Sequence, residues 1–238
     1  MRAHSNLSNR LHNQLGDLIS GMEPGGRLPT EPKLAEMMGV SRATLREAMR
    51  TFETQGLIQR RQGVGTFVVH PSSVLDSGLE LLESIESMAE RVGLQVRMGD
   101  YEIVPRAAEA EEKDELKSGK VLQISRVIEA EDRPVAFLID ILADNLMSEA
   151  ELRDEFTGSV LDLMLKRGKP QVRSSDTEIQ ATAVESSVAR ALRIQRGDVV
   201  LHFRSRIFAL DGTVIGLSRS YFLPGYFRFR VLRRVGRA

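Results

Sequence analysis

The chain has 238 residues, 28 % charged and 42 % hydrophobic, with 33 Lys+Arg balanced by 33 Asp+Glu. That balance describes a globular protein with room for one large or two modest domains, and a net charge of zero argues against a general polyanion binder. The absence of Cys excludes a disulfide framework, a Cys zinc site and a thiol nucleophile, and fits the reducing cytoplasm in which the protein is expected to work. No apolar run approaches the roughly 18 residues of a membrane helix, and no apolar block of about 7–15 residues near the start suggests a signal peptide.

Leu7, Leu11, Leu15, Leu18, Ile19 and Met22 lie on one helical face, which Glu23-Pro-Gly-Gly-Arg27 then breaks. Thr30 can cap a short second helix, with Pro32 tolerated in its first turn, Leu34, Ala35 and Met38 inward, and Gly39 as its stop. Ser41 is a good N-cap for a third helix that turns Leu45, Ala48, Met49 and Phe52 inward and ends at Gly56. Residues 57–61 and 66–70 read as two short strands around the glycine tip Gln62-Gly63-Val64-Gly65. Helix, helix, short turn, helix, hairpin is the order of a winged helix-turn-helix, expected over residues 1–70. Residues 71–78 read as a linker, expected to act as a hinge, and residues 79–92 as an amphipathic helix with Leu82, Ile85, Met88 and Ala89 inward.

From about residue 95 the pattern turns β-rich. Strands are expected at 96–104, 121–129, 134–142, 171–182, 199–210 and 213–223, and helices at 106–117, 159–167 and 185–194. The last two strands flank Asp211-Gly212, the strongest short hairpin signal in the chain. The fold class is α+β: an N-terminal winged helix-turn-helix followed, over 79–238, by an antiparallel-sheet domain.

Arg42, Arg46 and Arg50 recur every four residues along the third helix. Such a stripe is by itself most often a solvated face. In the second helix of a helix-turn-helix it has another reading, because that helix enters the major groove of DNA. Arg42 and Thr44 then lie in the turn that reaches base edges, Ser41 and the helix N-terminus can donate to a phosphate, and an arginine fork matches O6 and N7 of guanine. Arg60 and Arg61 add charge beside the hairpin, and Gly63 lets the backbone approach a sugar-phosphate edge. Residues 1–70 hold nine Lys+Arg against six Asp+Glu, so the mild cationic excess lies at this end.

Residues 28–68, LPTEPKLAEMMGVSRATLREAMRTFETQGLIQRRQGVGTFV, closely resemble the DNA-binding domain of GntR-family bacterial transcription regulators. The resemblance implies DNA contacts from Arg42, Thr44, Arg46 and Gly63. Many members carry a further basic residue where this chain has Pro32. Residues 95–235 resemble the UTRA effector domain of the HutC subfamily, which has a chorismate-lyase-like fold. The residues that carry this are Ile124-Ser-Arg126-Val-Ile, Arg133-Pro-Val-Ala136, Ala191-Leu-Arg-Ile194, Gly197-Asp-Val-Val-Leu201 and the Asp211-Gly212 hairpin. The other large group of such regulators has an all-helical, often metal-binding domain. The four histidines here, His4, His12, His70 and His202, have no ligand spacing, and no metal or other cofactor is expected.

Arg126 shares a strand face with Leu122, Ile124 and Ile128, and Arg219 shares one with Ile215, Leu217 and Tyr221. An arginine on an apolar face needs a partner. That partner is either a buried carboxylate, with Glu102, Glu178 and Asp140 as candidates, or an anionic ligand gripped by the guanidinium fork. The HutC resemblance implies that Arg126 lines the effector pocket. Arg219, Tyr221 and Arg204, which shares a face with His202 and Arg206, are the further effector candidates. Sugar-sensing members carry acidic residues where this chain aligns Leu138, Gly216 and Arg219, which favours a smaller or more apolar anion such as a carboxylate, sulfonate or phosphonate.

The expected function is a homodimeric repressor of a palindromic operator, released by a small anionic metabolite. An enzyme is the weaker alternative: there is no P-loop, and 216–220 reads Gly-Leu-Ser-Arg-Ser rather than a nucleophile elbow. An architectural DNA-binding protein without effector is the other, and the size of the second domain speaks against it.

Overall fold

The computed structural model describes residues 2–23, 25–54, 57–61, 63–68, 75–79, 81–91 and 94–230. The chain divides into two compact units, Met1–Val74 with Leu223–Phe227, and Leu75–Phe222 with Arg228–Ala238.

The first unit opens with α1, Arg2–Ser20, followed by α2, Glu31–Met38, and α3, Arg42–Thr54. Gly39 stops α2 in the left-handed conformation (φ 65°), which glycine adopts without the steric cost of a Cβ. Two residues later Ser41 caps α3, its Oγ accepting from the Thr44 amide at 3.1 Å. This turn fixes the helix pair, and Leu11, Leu15, Leu34, Leu45, Met49, Phe52 and Ile58 fill the core beneath it. Burial of one such leucine contributes about 1.5–3 kcal/mol. Strands β1, Ile58–Arg61, and β2, Gly65–Val68, form the antiparallel wing. Periodicity gave no sign of a further contribution: residues 25–28 run along β2, with Leu28 N donating to Thr66 O at 2.8 Å and Val68 N to Gly26 O at 2.8 Å. The expected helix stop at Gly56, the tip residue Gln62 and the end of the hairpin at 69–70 lie outside the described residues.

Of the expected linker, 71–74 lies outside the described residues, while Leu75–Gly78 forms a strand, β3. The helix expected over 79–92 is shorter. It is α4, Ile85–Arg91, and it starts where Ser84 Oγ accepts from the Ser87 amide at 3.0 Å. Leu82, expected inward, is 38 % exposed, whereas Ile85, Met88 and Ala89 are buried as expected.

Six strands form the main sheet: β4 (Arg97–Ala107), β5 (Lys120–Ala130), β6 (Arg133–Ala143), β7 (Val172–Ala183), β8 (Val199–Ala209) and β9 (Val214–Phe222). Their order is β4-β5-β6-β9-β8-β7, antiparallel throughout. A separate short strand, β10 (Phe227–Arg230), pairs with β3. Helix α5, Ala110–Leu116, is shorter than the expected 106–117 because β4 runs on to Ala107. Helices α7, Val160–Arg167, and α8, Ser186–Ala191, fall within or close to their expected spans. Helix α6, Glu149–Glu155, was not anticipated. Its signal is the capping box Ser148-x-x-Glu151, in which Ser148 Oγ accepts from Glu151 N and Glu151 Oε2 accepts from Ser148 N at 2.9 Å.

Pairing across the sheet puts Tyr101, Arg126, Leu138, Ser220, Phe203 and Ile179 in one cross-strand row on one face. On that face α6 and α7 pack through Leu152, Val160, Leu163 and Met164 against Ile103, Leu122, Ile124, Leu142 and Ile207. On the other face α5 packs through Leu116 against Val121 and Ile141, with Leu217 at the edge of the cluster.

Candidate DNA interface and effector cavity

In the first unit, Ser41, Arg42, Thr44, Arg46 and Arg61 are exposed, and Arg50 and Arg60 are half-buried. The structure brings all of them onto α3, its N-cap and β1. Their electrostatic states differ. Arg42 makes no ion pair with any described residue, whereas Arg46 Nε donates to Glu31 Oε2 at 2.7 Å. Arg60 lies between Glu31 (3.7 Å) and Glu53 (3.5 Å), and Arg50 meets Glu47 at 3.0 Å. Arg61 stacks over the Phe67 ring at 5.1 Å and donates to Gln59. The hydroxyls of Ser41 and Thr44 share a bond of 2.8 Å. Gly63 holds φ 74° at the wing tip with open space around it, so backbone alone is presented there. Glu31, at the end of the Leu-Pro-Thr-Glu stretch, also meets this surface, and its place there was not legible in the sequence pattern.

In the second unit, the face that carries Arg126 lines an open cavity of about 650 Å³. Arg126 is 3 % exposed at its base, and its Nη1 donates to Asp140 Oδ2. Glu86 Oε1 stands 3.8 Å from Arg126 Nε, and neither Nε nor the buried Glu86 oxygens have a hydrogen-bond partner. Burial raises the Glu86 carboxyl above its usual range, and the Arg126 charge only partly offsets this. Close by, Ser84 Oγ donates to Asp162 Oδ2 at 2.7 Å. Hydroxyls of Ser175, Thr177, Ser205, Ser218 and Ser220 line one wall, and the apolar residues include Leu81, Leu82, Ile179 and Phe203. Arg173, also on the wall, makes no ion pair with any described residue. So the carboxylate alternative for Arg126 is met by Asp140, one of the three candidates.

Arg219, Arg204 and Tyr221 lie on the opposite face and do not join Arg126. Arg126 pairs across to Leu138 and then Ser220, which puts the neighbouring Arg219 and Tyr221 on the reverse side. There Arg219 reaches Glu112 (3.4 Å) and Glu109 (3.7 Å), and Arg204 pairs with Glu111. Glu112 is fully buried and grips the Arg106 fork at 2.6 and 2.7 Å; that hydrogen bond holds its carboxyl below the usual range. Tyr221 stacks on His202 at 4.5 Å, and burial lowers the imidazole pKa, with the Arg204 and Arg219 charges adding to the effect. On this side Arg106, Arg204, Arg206 and Arg219 each face carboxylates of the protein, around a smaller cavity of about 170 Å³.

A winged helix with an exposed cationic recognition helix, followed by an antiparallel α+β domain that lines an open cavity, defines a transcription regulator rather than an enzyme. The family comparisons agree. Residues 7–68 match the model for bacterial regulatory proteins of the gntR family, and residues 93–228 match the UTRA domain, so the chain belongs to the GntR family and to its HutC-type, UTRA-bearing branch. It is similar to the transcriptional repressor NagR of Bacillus subtilis (25 % identical, covering 87 % of this chain and 86 % of that protein). The histidine utilization repressor of Pseudomonas putida is 24 % identical over 78 % of this chain and 75 % of its own length. The regulator Mce2R of Mycobacterium tuberculosis is 30 % identical over 74 % and 75 %. Among solved structures, PhnF of Mycobacterium smegmatis superposes with a TM-score of 0.62 at 21 % identity, covering 95 % of this chain and all of that one, which shows a shared fold. Among the described residues no helix is long and apolar enough to cross a membrane.

Proposed function

We propose that this chain is a cytoplasmic repressor that binds a palindromic operator as a homodimer and is released when a small anionic metabolite enters the cavity beside Arg126. The relatives named repressors support the sign of regulation. The observation that carries the effector reading is the cavity itself. Its volume is that of a site for a small organic molecule, and a buried guanidinium with an unsatisfied Nε stands at its base. Arg173, which makes no ion pair with a described residue, and the hydroxyl wall suit an anionic head group, and the leucines suit a compact apolar body.

Self-association is supported by the open edge of β7, where Ile179 is 45 % exposed, and by the size of one winged helix, which covers too few base pairs for tight specific binding. The DNA-reading set is Arg42, Thr44 and Arg46 for the groove, and Ser41, Arg50, Arg60, Arg61 and Gly63 for the backbone.

The test is a panel of metabolite carboxylates, sulfonates and phosphonates. Each is scored for a raised thermal midpoint, which mass action requires of any ligand of the folded state, and for release of a bound operator duplex. One or more anions that do both support the reading. Release by neutral or cationic compounds alone refutes the anionic effector.

A further inference from the structure

We infer that Glu31 is a specificity-determining residue of the DNA interface: it holds Arg46 by Nε and aims the outer half of the guanidinium at a base edge. Glu31 opens α2 and meets residues of α3 and β1, so one carboxylate ties both helices of the motif to the wing strand. It is 22 % exposed, whereas the Arg46 side chain is 57 % exposed. The bond is made through Nε at 2.7 Å, and the two Nη groups make no bond to any described residue. That division matters chemically. A guanine edge is read by two parallel N–H donors, and an arginine clamped through Nε still offers its Nη pair while losing most of its rotamer freedom before DNA arrives.

Glu31 has a second effect. Free arginines bind phosphate anywhere on a duplex by releasing counterions, without regard to sequence. A carboxylate 2.7 Å from Arg46 and 3.7 Å from Arg60 cancels part of that charge. It also repels a phosphate that approaches without the compensating base contact. Glu31 therefore favours the correct site and disfavours the rest, the two components of discrimination.

This inference rests on the reading of α3 as the groove-entering helix, so the test separates the two. Two duplexes are used: one enriched from a randomised pool by the wild-type protein, and one of random sequence. Affinity for each is measured across salt for wild type, Glu31→Gln, Arg46→Ala and the double variant. Glu31→Gln should weaken binding to the enriched duplex about tenfold, the size of one lost charge-assisted hydrogen bond. Random-duplex affinity should hold or rise, with a salt slope steeper by about 1 for each cation set free. With Arg46 already replaced, Glu31→Gln should cost no further discrimination. A preserved specificity ratio in Glu31→Gln overturns the proposal, as does an equal loss in the Arg46→Ala background, which would mark Glu31 as a packing residue. Should Glu31→Gln not fold, Arg46→Lys gives the same decision. Lysine keeps the charge but has neither Nε nor fork, so it should discriminate no better than Arg46→Ala, and a wild-type ratio would overturn the proposal. If Arg46→Ala itself leaves the enriched duplex tightly bound, the reading of α3 fails instead.

Discussion

Breaking the Arg126–Asp140 pair should destabilise the second unit. Arg126 is 3 % exposed and the Asp140 side chain 11 %, so Asp140 left alone is a buried charge without its partner, and Arg126 left alone keeps only Glu86 at 3.8 Å. Removing one member of such a pair costs about 3–5 kcal/mol, against a total stability of about 5–15 kcal/mol for a domain. Arg126→Ala and Asp140→Asn should each lower the stability of the second unit by that amount. Replacing both, as Arg126→Met with Asp140→Leu, should recover most of it, because an apolar pair of similar volume owes no desolvation cost. The chain has no Trp, so the assay is urea denaturation followed by far-UV circular dichroism. Single variants within about 0.5 kcal/mol of wild type, the range of ordinary surface substitutions, would refute a buried pair. With Glu86→Gln added, so that no carboxylate is left facing the missing cation, the folded variant is also the clean probe of the effector. It should bind operator normally and ignore the anion that releases the wild type.

The remaining predictions are independent of that pair. Arg106 holds the Glu112 carboxyl below its usual pKa, so the stability it contributes is complete above the unfolded value of about 4.3 and is lost as pH falls through the folded value. The deficit of Glu112→Gln, about 3 kcal/mol at neutral pH, should therefore shrink in acid, and a pH-independent deficit would refute the ionic reading. Arg42→Ala and Arg46→Ala should each weaken operator binding by about 1–3 kcal/mol in gel-shift titrations at fixed salt. Loss of Arg60 or Arg61 should mainly flatten the salt dependence, by a slope of about 1 each. Light scattering at micromolar concentration should report a dimer; a monomer with a one-half-site footprint would count against the symmetric operator.

The N-terminal fold was legible because its signals are local. Gly39, Ser41 and the leucine spacing each act within one helical turn, and the wing glycines act within one hairpin. The strands of the second unit were legible for the same reason, through alternation and the Asp211-Gly212 turn. What failed needed information from elsewhere in the chain. Alternation showed that Arg126 and Arg219 each keep company with apolar residues, but which side of the sheet each faces depends on register across β5, β6 and β9. Leu79, Leu82 and Ile85 have helical spacing, yet Ser84 caps a helix that starts only at Ile85, and the first two line a cavity that no spacing reveals. Asp140 could be offered as one of three partners for Arg126, and only the pairing of Ile124 with Asp140 brings it within reach.

An anion can act through Arg126 only if something gives way, because a ligand shifts an equilibrium by no more than its differential affinity for the two states. Arg126 already faces two carboxylates, and a third would leave one cation among three anions. Asp140 lies in β6, bonded to strands on both sides, and accepts directly from the guanidinium. Glu86 stands farther off, without a hydrogen-bond partner for either oxygen, on the short helix α4. If the effector is an anion that binds Arg126, Glu86 should be the group that it displaces or finds protonated. Its pKa is raised by burial, so holding its charge has a cost that vanishes as pH falls through the raised value. Two consequences can be measured together. Glu86→Gln should lower the effector concentration that half-releases the operator, by a factor within the roughly 5–150-fold range of ordinary coupling energies. Wild type should approach the variant's sensitivity as the pH is lowered toward the carboxylate range. If Glu86→Gln needs as much effector as wild type at every pH, Glu86 does not compete for Arg126, and the anion enters by some other exchange.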